Sequence, residues 1–430
     1  MVLIYTPVSK PRIRYIFVHF FRERMKTQVS FTSELSVFIA HSGPKMSYGD
    51  APLGNEFFVA AHGLLHEQGV GDQEIEVIDW DGLPVFFATT SQSMLPFDFF
   101  SAAFYLLSRY EEYLPFVPDR LGRFTSTSAL ASTHDFLHLP LVDLWFERFV
   151  TIWIDFFGLP KPTPASHSLS LVVEVPELYA YKFKPLLRSF FEGAMDFFQL
   201  KLSRVFDRLM VLLGIREDPL ADLLNWVEQL HLDKINTRFF VLYSWLGVHD
   251  RNLSVFNKVH QQEVKSISDY VPTGPLASYA SLSQPNSLSG DINRFASLLH
   301  RPVTAIRQHK LVLRFPHTYR NYTSLGVKND FSMQYSDCSG FRASTAFPFR
   351  FYDIGDEQQT PLLIHPICLS EDHIRQQRYS RKMWQLFLAY QTQLKEMNAP
   401  FVVALSNSSF NSRSYNQPFL VTLKKLLGYE

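Results

Sequence analysis

The stretch LVVEVPELYAYKFKPLL, residues 171–187, decides the fold of the second half of the chain. Its first five residues are apolar apart from one acid, Glu174, and the β-branched run predicts a buried strand. Pro176 follows at once, and proline lacks the N–H group that a strand interior requires. The strand is therefore predicted to end in one carboxylate beside an imino acid.

A composition change precedes this strand. Residues 158–170, GLPKPTPASHSLS, are rich in proline and serine and predict an interdomain linker. Residues 1–157 are then a smaller α+β domain. In that domain Asp81-Gly82 marks a β-hairpin, and the apolar spacing from Phe99 to Leu114 predicts one helix that stops at Pro115.

After the linker, short β-branched runs alternate with stretches of helical spacing over residues 171–430. Residues 186–214 predict one or two amphipathic helices that end at Gly214. Such alternation is typical of the α/β class, with a parallel sheet or a distorted (β/α) barrel.

Composition excludes several classes of function. The chain has 430 residues, with 41 Lys and Arg against 41 Asp and Glu. It therefore lacks the excess of basic residues that would predict nucleic-acid binding. Its 40 phenylalanines indicate broad apolar cores or a face that meets a partner. Two cysteines are too few for a disulfide framework or a Cys-rich zinc site. The N-terminal residues lack the pattern of a secretory signal, and no apolar stretch is long enough to span a bilayer, so we expect a cytoplasmic location.

Longer stretches carry a family resemblance. They include HGLLHEQGV, FDFFSAAFYLLSRYEEYLPF, RQHKLVLRFPHTY and LGVKNDFSMQYSDCSGFRAST. With these, nearly the whole chain resembles a NodB-type polysaccharide deacetylase (carbohydrate esterase family 4), in the form that carries an uncharacterised N-terminal domain in Bacteroidetes-like bacteria. The resemblance implies a bacterial protein with a distorted (β/α) barrel over residues 171–430.

The resemblance also implies where a catalytic site would lie. In that family one carboxylate acts as the base, a second carboxylate and two histidines hold a divalent metal, and a late histidine acts as the acid. Glu174 falls at the base position and Pro176 at the metal carboxylate. Leu276 falls where a metal histidine belongs, and Ser406 takes the place of the acid. Proline and leucine side chains cannot bind a cation, and a serine hydroxyl is a poor acid near neutral pH.

Five other positions keep polar residues that match the family pattern. Under the resemblance they would line the substrate groove: Arg307, His309, Tyr335, Arg342 and His365. For two of these residues a structural role is an open alternative. His365 could be a hydrogen-bonded structural histidine, and Arg307 could form a buried pair with Asp330 or Asp337.

The leading hypothesis is thus a polysaccharide deacetylase-like protein that is catalytically inactive and binds a glycan or a partner in surface-polysaccharide metabolism. It needs no cofactor. The alternative is an active metal-dependent hydrolase that removes acetyl groups from a polysaccharide, with Glu174 as the base and zinc or another divalent metal in a rearranged site. The expected ligand is an acetylated glycan in both cases. A scaffold that uses exposed aromatic side chains as its contact face is a third possibility.

Overall fold

The structure, a computed structural model, describes residues 1–161, 166–282, 285–377, 379–411 and 417–428. The chain forms two compact units. The N-terminal unit contains residues 1–166 together with 313–324 and 328–368. The second unit, called the barrel unit after the barrel that the sequence predicts, contains residues 167–312, 325–327 and 369–430. Residues 313–324 and 328–368 lie within the predicted barrel domain, residues 171–430, but group with residues 1–166 in one compact unit, and the predicted domain bounds stay a prediction.

The N-terminal unit mixes strands and helices, which are numbered along the whole chain. Its strands are β1 Val2–Tyr5, β2 Val29–Thr32, β3 Lys45–Gly49, β4 Phe57–Ala60, β5 Val77–Trp80, β6 Leu83–Phe86, β11 Asn329–Asp330, β12 Phe349–Asp353 and β13 Gln358–Ile364. Its α-helices are α1 Pro11–Phe17, α2 Leu35–Ala40, α3 Phe99–Leu107, α4 Leu130–Thr133, α5 Leu141–Phe157 and α11 His317–Ser324. A π-helix, Val18–Arg24, continues α1, and the 3-10 helices are Leu64–His66, Tyr110–Tyr113 and Ser126–Ser128.

The strands of this unit form three groups. The order β2-β1-β3-β4 makes a parallel sheet. β5 and β6 form the predicted hairpin, with positive φ at Asp81 and Gly82, so that prediction is confirmed. β13 pairs antiparallel with β12 and parallel with β11, which breaks the simple alternation expected for this part of the chain.

The helix predicted from Phe99 to Leu114 is interrupted. α3 ends at Leu107, Arg109 has φ 56°, and a 3-10 helix follows. Arg109 is buried and binds Glu111 and Glu112, both at 2.7 Å. The apolar spacing continues through the break, but a straight helix would not bring both carboxylates to one guanidinium, so the ion pairs account for the turn.

The barrel unit alternates strands with helices. Its strands are β7 Ser168–Val175, β8 Asn236–Val241, β9 Thr273–Ala277, β10 Ala305–Gln308, β14 Leu369–Ser370 and β15 Pro400–Ser406. Its α-helices are α6 Leu186–Phe198, α7 Leu202–Leu212, α8 Leu223–Leu232, α9 Lys258–Tyr270, α10 Pro285–Leu299, α12 Glu371–Arg375, α13 Ser380–Glu396 and α14 Gln417–Leu426. The 3-10 helices are Tyr279–Leu282, His309–Leu311 and Asn407–Phe410.

The six strands of this unit follow the order β10-β9-β8-β7-β15-β14, and each described pairing is parallel. The α/β class with a parallel sheet is therefore confirmed. None of the pairings between the described residues closes the strands into a ring, so the distorted barrel stays a prediction.

The predicted linker, residues 158–170, overlaps the sheet. Its last three residues belong to β7, where Ser168 lies opposite Pro400 of β15. The pairing partner sits far away in the sequence, so the serines alone could not reveal it. Residues 162–165 of the linker lie outside the described residues. None of the helices in the described ranges is both long and apolar enough to cross a membrane.

Candidate functional site

The site is built on β7, which lies between β8 and β15. Leu171, Val172 and Val173 are buried, while the Glu174 side chain keeps 21% of its surface exposed. Glu174 lies opposite Phe240 of β8 and Ser406 of β15. The carboxyl ends of parallel strands lie at one edge of a sheet, where α/β proteins place their ligands. Glu174 and Ser406, predicted as the base and acid positions, are therefore neighbours at that edge.

An ion pair joins Glu174 to Arg307 of β10. The Arg307 Nε atom donates to the Glu174 Oε1 atom at 2.6 Å, and the arginine side chain is only 1% exposed. β8 and β9 lie between β7 and β10, so a flat sheet would separate the two backbones by roughly 14 Å. The side chains meet because the sheet curves, which places the pair on its concave face. Arg307 thus faces Glu174, the partner that the sequence did not suggest.

His309 follows β10 directly and is 3% exposed. One ring nitrogen, Nε2, lies 3.1 Å from the carbonyl oxygen of His249, while the other, Nδ1, is buried and has no hydrogen-bond partner among the described residues. Burial lowers the pKa of His309 below its ordinary value, although the carboxylates of Glu174 and Asp250 oppose the shift. A neutral imidazole with one open nitrogen is thus available beside the ion pair.

Asp250 is a site residue that the sequence analysis missed. It is 2% exposed and accepts backbone N–H groups from Tyr279 at 2.7 Å and Ala280 at 3.0 Å. These bonds tie the loop after β8 to the loop after β9. The only hint in the sequence was an acidic residue between His249 and Arg251. Its partners are backbone N–H groups some thirty positions further along the chain, and residue types do not reveal such contacts.

The positions that a metal would require do not supply donors. Leu276 is 1% exposed and pairs with Arg307 across β9 and β10. Ser406 uses its hydroxyl to accept the N–H of Ser408 at 3.2 Å, and its own N–H binds Glu371 at 2.8 Å. Within the part of the chain that the structure describes, no three His, Cys, Asp or Glu side chains are arranged so that they could hold a metal ion. With proline and leucine at two positions that the resemblance assigns to metal ligands, the donor set does not fit a divalent metal.

A cavity of about 400 Å³ opens beside the loops that follow β7 and β15. Its wall includes Glu177, Ser408 and residues of α6 and α7. Lys184 binds Glu177 at 3.3 Å and Glu192 at 3.4 Å across this wall.

Three basic residues of the same wall, Lys201, Arg204 and Arg251, form no ion pair among the described residues. The cavity therefore offers cationic groups to a ligand. Local sequence patterns do not reveal this cavity, because its lining comes from five separate segments of the chain.

Three predicted groove residues belong to the N-terminal unit. Arg342 is 2% exposed and binds Glu112 through two nitrogens, at 2.9 and 2.5 Å. Burial tends to raise the pKa of Glu112, but Arg342 and Arg109 bring it below its ordinary value. Tyr335 is 1% exposed, and its buried hydroxyl has no partner among the described residues.

His365 lies one residue beyond β13, with Nε2 3.0 Å from the Asn329 Oδ1 atom and its ring stacked on Phe331. The structural alternative that was open for this histidine therefore has a hydrogen bond to support it. A groove role for Tyr335, Arg342 and His365 stays a prediction, whereas Arg307, His309 and Glu174 are brought together in one unit.

A family model matches the first part of the chain. Residues 2–157 match the model of a family of unknown function, DUF7033. No curated protein matches the chain.

Several solved structures are similar in fold to this chain. A protein from Mycobacterium smegmatis named as a polysaccharide deacetylase is 12% identical, with a TM-score of 0.40, over 63% of this chain and 86% of its own. A protein of the same kind from Pseudomonas aeruginosa PAO1 is 13% identical, with a TM-score of 0.39, over 64% and 90%. A carbohydrate esterase family 4 pseudoenzyme, solved as a mutant with restored activity, is 9% identical, with a TM-score of 0.27, over 61% and 65%. The chain is similar to polysaccharide deacetylases, and at these TM-scores the likenesses carry no argument about its chemistry.

Proposed function

We propose that this chain is a deacetylase-like protein that binds an acetylated glycan and does not hydrolyse it. One observation carries the proposal: the guanidinium of Arg307 holds the carboxylate at the base position, with Nε 2.6 Å from the Glu174 Oε1 atom. That oxygen accepts a hydrogen bond from a buried guanidinium, so it is not free to take a proton from an attacking water.

The substitutions around that pair support the same conclusion. Pro176, Leu276 and Ser406 stand where the resembled family places two metal ligands and the acid, and none of the three side chains can perform those tasks. The cavity next to the same strand ends is large enough for a sugar unit and is lined with polar groups. We place this activity in the cytoplasm, with no nucleic-acid partner.

The test measures binding and chemistry on the same sample. Purified protein is titrated with a tetramer of N-acetylglucosamine by calorimetry and then assayed for acetate release. We expect heat of binding, no acetate, and less than one metal per chain by elemental analysis. Stoichiometric zinc together with acetate release would overturn the proposal.

A restoration variant sharpens this test. Pro176→Asp and Leu276→His supply one carboxylate and one histidine ligand, Ser406→His supplies the acid, and Arg307→Met removes the cation that holds Glu174. We expect the quadruple variant to bind zinc more tightly than the wild type. The single variant Arg307→Met is the matched control, because it frees the carboxylate without adding metal ligands.

An active hydrolase remains the second candidate. Glu174 is still one-fifth exposed at the strand ends, and the Nδ1 atom of His309 is open beside it. If Glu174 is the base, Glu174→Gln abolishes an acetate release that the wild type shows. A wild type that releases no acetate from a panel of acetylated oligosaccharides would rule this candidate out.

A further inference from the structure

The hairpin formed by α6 and α7 exposes an unusual amount of apolar surface. In α6, Leu186 is 85% exposed and Phe190 is 70% exposed, and in the last turn Phe198 is 83% exposed. After α7, Leu213 is 70% exposed. Monomeric soluble proteins rarely expose contiguous apolar patches beyond a few hundred Å², and larger ones mark a site of interaction.

The buried side of the hairpin is charged. Arg208 of α7 is 6% exposed and binds Glu192 at 3.2 Å and Asp196 at 3.1 Å, both on α6. Ser189 is the buried residue of α6. A helical hairpin in water normally turns its apolar stripe inward and its charges outward. Here the ion pairs lie between the helices and the apolar side chains point out, which suits an apolar environment.

The connection between the helices is apolar as well. Phe198 and Leu200 precede Lys201 in the turn, and Leu200 is 82% exposed with φ 56°. Exposed turns usually carry Gly, Asn, Asp or Ser, which tolerate such backbone angles and hydrogen-bond with water. Leucine with a positive φ at the tip has neither advantage in water. Segments that insert into a membrane interface place apolar side chains among the acyl chains and lysines at the headgroups, and Leu200 next to Lys201 matches that arrangement.

The charge of the hairpin points to the kind of membrane. The hairpin together with the residues that flank it, 182–216, contains seven Lys and Arg against three Asp and Glu, although the whole chain is neutral. Each of the three acids forms an ion pair with an arginine of the same segment. Lys201 and Arg204 form no ion pair among the described residues and flank the apolar tip. Apolar side chains bordered by lysine and arginine complement acyl chains and anionic headgroups.

We propose that the α6–α7 hairpin docks this protein on a lipid bilayer that contains anionic lipids. The hairpin lies in the interface and does not cross the bilayer, because α6 and α7 have 13 and 11 residues. The same helices line the cavity of about 400 Å³, so docking brings that cavity to the membrane surface. The docking itself is independent of whether the strand-end site binds a glycan.

The test is vesicle flotation of the full-length protein without glycan. Vesicles of phosphatidylcholine with phosphatidylglycerol are compared with vesicles of phosphatidylcholine alone, at low and high salt. We expect the wild type to float with the anionic vesicles and to be released partly by salt. The double variant Phe198→Asp and Leu200→Asp is expected to bind at least about tenfold more weakly, because two apolar side chains no longer enter the interface.

Two matched variants separate the causes. Leu232→Asp changes another exposed leucine, 67% exposed on α8, and is expected to bind vesicles as the wild type does. Lys201→Glu with Arg204→Glu is expected to remove the preference for anionic vesicles. Thermal unfolding checks that each variant is folded. Wild-type protein that stays in the soluble fraction with both kinds of vesicle would overturn the proposal. So would wild-type protein that binds no vesicles and forms a dimer that Phe198→Asp dissociates.

Discussion

The phenylalanines of the N-terminal unit and those of the α6–α7 hairpin have opposite surroundings. Phe17, Phe20, Phe100 and Phe149 are fully buried, and Phe100 stacks on Phe17 with 4.0 Å between ring centroids. Phe190, Phe191, Phe197 and Phe198, in contrast, are between 57% and 83% exposed. Both groups lie on helices with an apolar period, so the period shows which face is apolar but not what covers that face.

The charged residues, in contrast, are turned inward in both regions. In the N-terminal unit Arg109, Glu112 and Arg342 form a closed group within an aromatic core, and each is 6% exposed or less. In the hairpin Glu192 and Arg208 pair on the inner side of an apolar exterior. The N-terminal unit therefore buries both its rings and its ions, whereas the hairpin hides its ions and exposes its rings.

The strongest test of this contrast compares two identical truncations. Phe100→Ala is expected to lower the free energy of unfolding by about 4 kcal/mol, because a packed core cannot fill the cavity that the ring leaves. Phe198→Ala in the hairpin is expected to change it by less than about 0.5 kcal/mol, because water already covers that ring. Urea unfolding of the two variants in parallel measures both values. Equal losses would mean that the hairpin ring is buried in solution.

A second comparison removes one carboxylate charge from each region. Glu112→Gln is expected to destabilise the N-terminal unit by about 3 kcal/mol, because two buried guanidinium groups lose their shared counter-charge. Glu192→Gln, whose side chain is 21% exposed, is expected to cost less than about 1 kcal/mol. Thermal unfolding of the two variants and the wild type at one salt concentration measures both losses of stability. A larger loss for Glu192→Gln than for Glu112→Gln would show that the ion pairs of the hairpin are as fully buried as those of the N-terminal unit.

The smallest effect concerns His309, a buried polar group in the barrel unit. Its native pKa is lowered, mainly by burial, so below about pH 6.5 the unfolded chain binds a proton that the native state binds less readily. The stabilisation from the neutral ring is therefore present above that pH and is lost as the pH falls towards the native pKa. We expect the wild type to lose more stability than His309→Gln between pH 7 and pH 5.5. Parallel stability curves for the two proteins would refute this.

Local patterns identified several features correctly. The turn at Asp81-Gly82 and the two helices that end before Gly214 follow from residue types that favour those conformations, and the structure contains both. The parallel strands were visible because β-branched runs such as residues 171–175 suit a sheet that is covered on both faces.

Other features depended on partners far along the chain. The break at Arg109 follows from ion pairs, and the Glu174–Arg307 contact joins residues 133 positions apart. Residues 328–368 likewise belong with the N-terminal unit although they follow most of the barrel strands. Spacing within a short window cannot reveal any of these, because each is fixed by curvature and packing over the whole unit.

The sequence by itself determined the α/β class, the end of β7 just before Pro176, and the absence of any metal-binding atom from the side chains of Pro176 and Leu276. Those conclusions depend on backbone preference and on which atoms a side chain carries, and both are properties of the residue alone. Only the tertiary structure decided that Arg307 holds Glu174 and that the apolar faces of α6 and α7 point outward. Burial and ion pairing depend on the neighbours that folding supplies, and those neighbours come from distant parts of the chain.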